Sequence, residues 1–284
     1  MWNRTVASAV VAATFVFACH KVPYTGRLQY NLVPDSIMRG VGKSSYSSTL
    51  SGADLQKQGD DHDLLVKVGK KISKVADQPE YEWDFSLIDD DKTVNAWCMP
   101  GGYIAFYTGI LPVLRNEAGM AFVMGHEVGH ATAHHGAERL SQQLTMIGGL
   151  AGLELYMANE TTLDQKQRVL ILGALGIGTE LAVLLPFSRA HESEADVIGM
   201  MYMSKAGYPP EESIELWERM EKASPASMPV FLSTHPSNDQ RKANLKEWMP
   251  QAKKKYERNK LTYDTLKATW EGIPSGGGKK GDHP

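Results

Sequence analysis

The sequence predicts a mainly α-helical α+β fold that contains a small antiparallel sheet. Apolar residues recur at helical spacing in segments such as LLVKVGKKISKV. Three short runs rich in aromatic and β-branched residues, WDFSLI, TVNAWC and YIAFYTG, are separated by the turn-forming sequences DDDK and MPGG. With 284 residues, 42% of them hydrophobic and 22% charged, the chain has the composition of a globular protein with one sizeable core.

Residues 1–18 have the pattern of a bacterial lipoprotein signal peptide. One basic residue, Arg4, precedes an apolar run that is too short to span a membrane comfortably as a helix. The run ends in VFAC, which resembles a lipobox, whereas a mitochondrial presequence would contain more arginine. We therefore expect Cys19 to carry lipid. Because His20 is not the aspartate that retains lipoproteins in the inner membrane, we expect a periplasmic protein anchored to the outer membrane.

The remaining chain predicts one domain between two less structured ends. Residues 19–50 are expected to form the lipid anchor and an extended tether, and residues 51–272 the domain. Residues 273–284 are poor in core-forming side chains and are expected to be a disordered tail. The apolar segment 169–187 contains Glu180 and three glycines, so we expect a buried or substrate-facing helix rather than a membrane span.

Helix signals place the other elements. Asn116 is expected to cap a helix that runs to about His135, with Gly136 just past its end. Further helices are expected at about 53–76, 138–158 and 167–185, and from near Ser188, Pro210 and Ser237.

The charge excludes one class of function, and the cysteine content bears on disulfide bonding. The formal net charge of −3 at pH 7 provides no basic surface for nucleic acid. If Cys19 carries lipid, Cys98 has no partner for an intramolecular disulfide. We expect Cys98 to be a small buried apolar residue without a chemical role.

The segment GHEVGHATAHHG, residues 125–136, has the spacing of a metal site. His126 and His130 are four residues apart, so on a helix both imidazoles lie on one face and can bind one zinc ion. Glu127 lies about 100° further round the helix, where it can act as general base on the water that the metal activates. Small residues beside the histidines leave room for another helix to approach: Gly125, Gly129 and Ala131.

A third ligand is expected from FSRAHESEAD, residues 187–196. Glu192 and Asp196 are four residues apart on a predicted helix and so share a face. One of the two carboxylates can complete a zinc site while the other accepts a hydrogen bond from a ligand histidine, and the spacing does not decide between them. Glu194 and His191 fall on other faces. The alternative for Glu192 and Asp196 is a solvated helix face.

The two remaining histidines of the first segment are expected to be structural or to support the ligands. His134 would lie about 6 Å along the helix axis from His130, which is too far to share the ion. A metzincin would have its third histidine at position 136, which is Gly136 here.

Four segments in this order carry a family resemblance: NAWCMPGGYIAFYTGIL, GHEVGHATAHHGAER, FSRAHESEADVIG and STHPSNDQR. They resemble the zinc peptidases related to HtpX, BepA, LoiP and the mitochondrial Oma-type proteases, over about residues 25–250. The lipobox and TGRLQYNLVPDS resemble the periplasmic lipoprotein branch. The resemblance implies a zincin-like metalloprotease domain of the gluzincin type, built around an HExxH helix and holding one zinc ion per chain.

The resemblance also implies a role for each matching residue. His126, His130 and Glu192 would be the zinc ligands and Glu127 the general base. Asp196 would be the carboxylate that orients a ligand histidine.

Three further positions match the family motifs. The strand that begins Asn95-Ala96 would border the cleft, where a substrate peptide could pair by β-augmentation. His235 resembles a histidine that approaches the zinc from a plug loop in some relatives and restrains activity. Oxyanion stabilisation and plain packing are its alternative roles. Arg241 would be a structural ion-pair partner.

These observations predict a zinc-dependent endopeptidase of the bacterial cell envelope. As the resemblance implies, it would hydrolyse misfolded or misassembled envelope proteins. We also expect it to be held at the membrane through Cys19 and to bind no nucleic acid. One alternative is a latent, plugged peptidase that acts mainly as a chaperone or assembly factor for outer-membrane proteins. Another is a hydrolase of small-molecule amides.

Overall fold

The structure is a computed structural model that describes residues 19–146, 188–222, 231, 235 and 239–260. Within those ranges most residues are helical, and the short strands form two sheets. The predicted mainly helical α+β class is confirmed. The signal peptide, the segment 169–187 and the tail 273–284 lie outside the described residues, as does the expected helix at 167–185.

Residues 19–50 do not form an extended tether. Two strands pair as an antiparallel hairpin and a helix of 16 residues follows them. The polar composition concealed a few apolar side chains that dock on the domain: Val22 is 2% exposed and Tyr46, 5% exposed, packs against Trp97 and Tyr103. The tether prediction was wrong because these contacts are not local in sequence. The elements are β1 (Cys19–Lys21), β2 (Leu28–Tyr30) and α1 (Asp35–Leu50).

A second sheet has the strand order β3-β4-β6-β5. β3 pairs antiparallel with β4, and β5 with β6, but β4 and β6 run parallel, with Phe85 opposite Ile104. β5 turns back through Gly101 and Gly102, whose φ angles of 100° and 89° suit glycine. Because β5 is the last strand in the order, it lies at the edge of the sheet. The strands are β3 (Leu55–Gln56), β4 (Asp84–Ile88), β5 (Ala96–Met99) and β6 (Tyr103–Tyr107).

The remaining elements are helical and supply most of the core. α2 buries Leu65, Val68 and Ile72 against the sheet and α4. Across the described residues, none of the helices is both long and apolar enough to cross a membrane. The helices are α2 (Asp60–Ala76), a 3₁₀ turn (Thr108–Ile110), α3 (Leu111–Leu114), α4 (Glu117–Thr132), α5 (Arg189–Lys205), α6 (Glu212–Lys222) and α7 (Asp239–Asn259), and residues 135–146 are also helical.

α4 begins where the sequence predicts and ends earlier. The Asn116 side chain accepts a hydrogen bond from the Gly119 N–H at 2.7 Å. The helix stops at Thr132, because His134 takes the left-handed conformation with φ 52°. A new helix then starts at residue 135. This break turns His135 back towards α4 instead of continuing the predicted single helix.

α4 and α5 cross with their backbones in contact. A Cβ atom on Gly199 would lie 2.6 Å from the main-chain nitrogen of His126, and one on Gly125 would lie 2.8 Å from the main-chain oxygen of Gly199. Both distances are too short for any side chain. The small residues around the histidines therefore allow the close approach that the sequence predicts, and they bring the histidines of α4 opposite the carboxylates of α5.

Candidate metal centre

Four buried side chains direct their ligand atoms to one point between α4 and α5. His126 Nε2 lies 3.1 Å from His130 Nε2 and 3.5 Å from Glu192 Oε2, and His130 Nε2 lies 3.4 Å from Glu192 Oε1. His235 Nδ1 is 3.2 Å from His126 Nε2 and 3.1 Å from Glu192 Oε2. All four ligand atoms lie within 4.8 Å of one another.

This donor set fits zinc. Imidazole nitrogens and a carboxylate are ordinary zinc ligands, and tetrahedral ligands at about 2.0–2.1 Å from the ion are separated by about 3.3 Å. The observed separations of 3.1, 3.4 and 3.5 Å bracket that value. Since His126 and His130 each use Nδ1 for another partner, their Nε2 atoms are the ones that face the ion. His126, His130 and Glu192 would hold the ion, with His235 within reach of it.

His126 is oriented by Asp196 and Arg241. Asp196 Oδ1 lies 3.0 Å from His126 Nδ1, and the Arg241 guanidinium donates to both Asp196 oxygens at 2.6 and 2.7 Å. Burial alone would raise the pKa of Asp196, but the charge of Arg241 and the bond from His126 lower it. Burial alone would lower the pKa of His126, but its bonds to Asp196 and Glu192 raise that pKa to about 9. Asp196 thus stays ionised as an acceptor.

His130 is oriented by a different chain of residues. Its Nδ1 lies 2.9 Å from His135 Nδ1, and His135 Nε2 lies 3.1 Å from Glu194 Oε2. His135 is fully buried, and burial lowers its pKa to about 4 against the opposing bond to Glu194. A neutral His135 can therefore accept from one neighbour and donate to the other.

Glu127 lies beside the donor cluster without being part of it. Its side chain is buried, and Oε1 makes no hydrogen bond. His235 Nε2 lies 3.4 Å from that oxygen. Burial raises the pKa of Glu127. A buried carboxylate oxygen without a hydrogen bond is costly, and a bound water or substrate would satisfy it.

The cleft beside the cluster is formed by β5 and three helical segments, α1, the end of α4 and residues 135–146. A cavity of about 440 Å³ reaches His130 and is lined by Trp97, Met99, Met38 and Leu140, among others. Asn95 directly precedes β5, its carbonyl accepts from the Tyr107 N–H, and its Oδ1 is buried without a hydrogen bond. Ala96, the first residue of the strand, is 1% exposed. The role of Asn95 and Ala96 in binding substrate stays a prediction.

Three residues near the site lie outside the donor cluster, as the sequence interpretation placed them. Glu194 and His191, which were placed on other faces of α5, are both buried and bonded within the protein. His134 instead contacts Asp35 at 3.1 Å, away from the donor cluster. Arg27, which binds Glu194, had no predicted role, although it belongs to TGRLQYNLVPDS, a stretch that the family resemblance singles out.

The fold and this centre define a class of enzyme, the HExxH zinc metallopeptidases. The chain belongs to peptidase family M48, whose profile matches residues 61–249. It is 32% identical to the mitochondrial metalloendopeptidase OMA1 of Schizosaccharomyces pombe over 261 residues, 89% of this chain and 72% of that one. The chain is also 32% identical to OMA1 of Saccharomyces cerevisiae over 258 residues, which cover 84% of this chain and 71% of that one.

A bacterial relative is more distant. The chain is 28% identical to the beta-barrel assembly-enhancing protease of Escherichia coli K12 over 189 residues, 64% of this chain and 37% of that one. Together the relatives confirm the predicted family and the metalloendopeptidase activity.

The predicted location is wrong. Both yeast relatives, which match over more than four fifths of the chain, are mitochondrial enzymes. This finding overturns the placement of a lipid-anchored protein at the outer membrane of the periplasm. That prediction depended on a short pattern ending at Cys19, whereas the similarity extends over most of the fold. In the structure Cys19 belongs to β1, opposite Tyr30.

Proposed function

We propose that the chain is a quality-control endopeptidase that hydrolyses peptide bonds in misfolded or misassembled proteins. Glu127 is the general base, and His126, His130 and Glu192 hold the zinc ion. One observation carries the proposal: the buried Glu127 oxygen without a hydrogen bond lies beside a cluster of donor atoms that fits zinc. A carboxylate oxygen in that position can accept a hydrogen bond or a proton only when water or substrate is bound at the site.

The protein's own residues would move and hold the proton. When bound, zinc supplies a Lewis acid that activates water and polarises the scissile carbonyl. Glu127 takes the proton of the attacking water and delivers it to the leaving nitrogen. Asp196 and His135 hold the ligand imidazoles through Nδ1, so that Nε2 is kept for the ion.

The edge strand supports the proposed preference for misfolded substrates. β5 can bind another strand through its main chain, beginning at Asn95-Ala96, and the cavity beside it can accept an apolar side chain. Only an extended segment can pair in this way. Misfolded proteins expose such segments, whereas folded proteins bury them. The name of the bacterial relative, the beta-barrel assembly-enhancing protease, agrees with substrates that have failed to assemble.

A latent enzyme is the second candidate, and His235 favours it. Its ring nitrogens lie 3.1 Å from Glu192 and 3.4 Å from Glu127, so it occupies the space between a ligand and the base. A protein in this state would act mainly as a chaperone or assembly factor until His235 moves.

Two substitutions test both candidates on an unfolded protein such as casein. Glu127→Gln keeps the shape of the side chain but cannot accept the proton, so kcat/KM should fall by about 10²–10⁴-fold. His235→Ala should leave cleavage similar or slower if the enzyme is active as it stands, and should raise it strongly if the enzyme is latent.

Zinc content, measured in both variants, serves as the control for an intact site. Cleavage by Glu127→Gln at the parent rate would contradict the peptidase mechanism. Cleavage of small amides but not of casein by the parent would instead indicate a small-molecule hydrolase.

A further inference from the structure

We propose that a buried hydrogen-bonded relay from the N-terminal hairpin holds His130 in its zinc-binding orientation. The relay runs from Thr25 and Arg27 through Glu194 and His135 to His130. The inference depends on the proposed zinc site and not on peptide cleavage. Thr25, Arg27, Glu194 and His135 are positioning residues, because they act on the ion only through His130.

The first step is the contact between two histidines. His130 must present Nε2 to the ion, so its proton lies on Nδ1, which faces His135 Nδ1 at 2.9 Å. His135 can accept there only if its own proton lies on Nε2. That nitrogen faces Glu194 Oε2 at 3.1 Å, and a carboxylate requires a donor. Each proton position therefore fixes the next, and Glu194 determines the tautomer of His130.

The second step holds Glu194 in place. Arg27 Nε donates to Glu194 Oε2 at 2.9 Å, and the Thr25 hydroxyl donates to Oε1. The Glu194 side chain is only 6% exposed, so its charge needs this partner in the buried site. Both donors belong to the turn between β1 and β2, far from α5 in sequence.

The third step fixes the plane of the His135 ring. Arg27 also binds Glu138 with two parallel bonds of 2.7 Å. Glu138 Oε2 lies 3.0 Å from His191 Nε2, and the His191 ring stacks on His135 at 4.4 Å with 16° between the planes. Arg27 thus controls both the edge of the His135 ring, through Glu194, and its face, through His191.

The two ligand histidines are therefore held from opposite ends of the chain. His126 depends on Asp196 and on Arg241 of α7, whereas His130 depends on His135, Glu194 and Arg27. In each case an arginine compensates the charge of the last carboxylate. The buried Arg241 does so for Asp196, and the partly buried Arg27 for Glu194. The N-terminal hairpin is in this sense a part of the metal centre.

Zinc affinity of the full chain, measured by chelator competition, tests the relay. His135→Phe removes the acceptor of His130 but keeps a flat ring against His191, and we expect it to weaken zinc binding about 10–100-fold. Arg27→Met acts at the outer end of the relay, where its side chain is 33% exposed, and we expect a loss of about 10-fold. The visible spectrum of bound Co²⁺ should change in both variants.

Glu117→Gln is the matched control. Glu117 is also a buried carboxylate with cationic partners, Lys67 and Lys71, but it lies outside the site. Its zinc affinity should stay within roughly two-fold of the parent. Should His135→Phe fail to fold, Arg27→Met decides. The relay is contradicted if folded Arg27→Met binds zinc as the parent does, or if Glu117→Gln loses as much affinity as Arg27→Met.

Discussion

Arg241 is 1% exposed and lies against two carboxylates of α5. Its guanidinium also stacks 4.0 Å from the centre of the Trp217 ring. A buried cation is tolerated only when its charge is compensated, and here Asp196 and Glu192 supply that compensation. The converse holds as well, because both carboxylates depend on Arg241 whenever the metal is absent.

Arg241→Met should lower the free energy of unfolding of the metal-free protein by about 3–5 kcal/mol, since it leaves buried carboxylates without their partner. Urea denaturation in the presence of a chelator would measure the change. Lys242→Met is the matched control: Lys242 pairs with Glu221 at the surface, and such pairs contribute about 0–1 kcal/mol. Equal effects of the two substitutions would show that the Arg241 charge is not needed for stability.

At the scale of elements, the crossing of α4 and α5 determines the geometry of the site. The two helices bring His126 opposite Glu192 only because glycines at the crossing let the backbones touch. Any outward movement of α5 would therefore increase the distances between the ligand atoms of α4 and Glu192.

Gly199→Ala should both destabilise the protein and weaken zinc binding. Its new Cβ would lie 2.6 Å from the His126 nitrogen, which forces the helices apart at a cost of about 1–3 kcal/mol. Thermal unfolding and chelator competition would detect the two effects. At Gly136, by contrast, a Cβ would meet only Met38, at 3.6 Å, so Gly136→Ala should be neutral or slightly stabilising. Unchanged zinc affinity in Gly199→Ala would refute the role of the crossing.

Local features of these elements could be predicted from the sequence, whereas pairings over long distances could not. Asn116 caps its helix as expected, and the helix expected near Ser188 begins there, because helix starts depend on a few neighbouring residues. The i, i+4 spacing likewise located His126 and His130. The parallel pairing of β4 with β6 and the docking of the hairpin depend on contacts between distant segments. The burial of Glu194 was not predicted for the same reason, because its partner Arg27 lies 167 residues away.

Across the whole molecule, Glu117 ties the start of α4 to α2 and to the loop after α5. Lys67, Lys71 and the Tyr208 hydroxyl all donate to its carboxylate. Burial alone would raise the pKa of Glu117, but these donors lower it below its ordinary value of 4.5. The anion is therefore favoured in the folded protein.

The contribution of Glu117 to stability should depend on pH. Since its pKa is lower in the folded state, the unfolded chain binds the proton more readily, and the stabilisation is present above about pH 4.5 and lost as the pH falls further. Glu117→Gln should therefore be less stable than the parent at neutral pH, and the difference should shrink below about pH 4.5. Urea denaturation of both proteins at several pH values would measure it. A difference that stays constant down to about pH 3.5 would contradict the lowered pKa.

The distribution of the site along the chain also determines when a newly made molecule can act. Arg27 is synthesised first, the HExxH helix later, and Arg241 after both. Until Arg241 has been made, Asp196 and Glu192 lack a main source of compensating positive charge. Contacts between such distant residues also form late in folding. An unfinished chain is therefore expected to lack an ordered zinc site. Peptidase activity would therefore appear only once the chain has been made past Arg241.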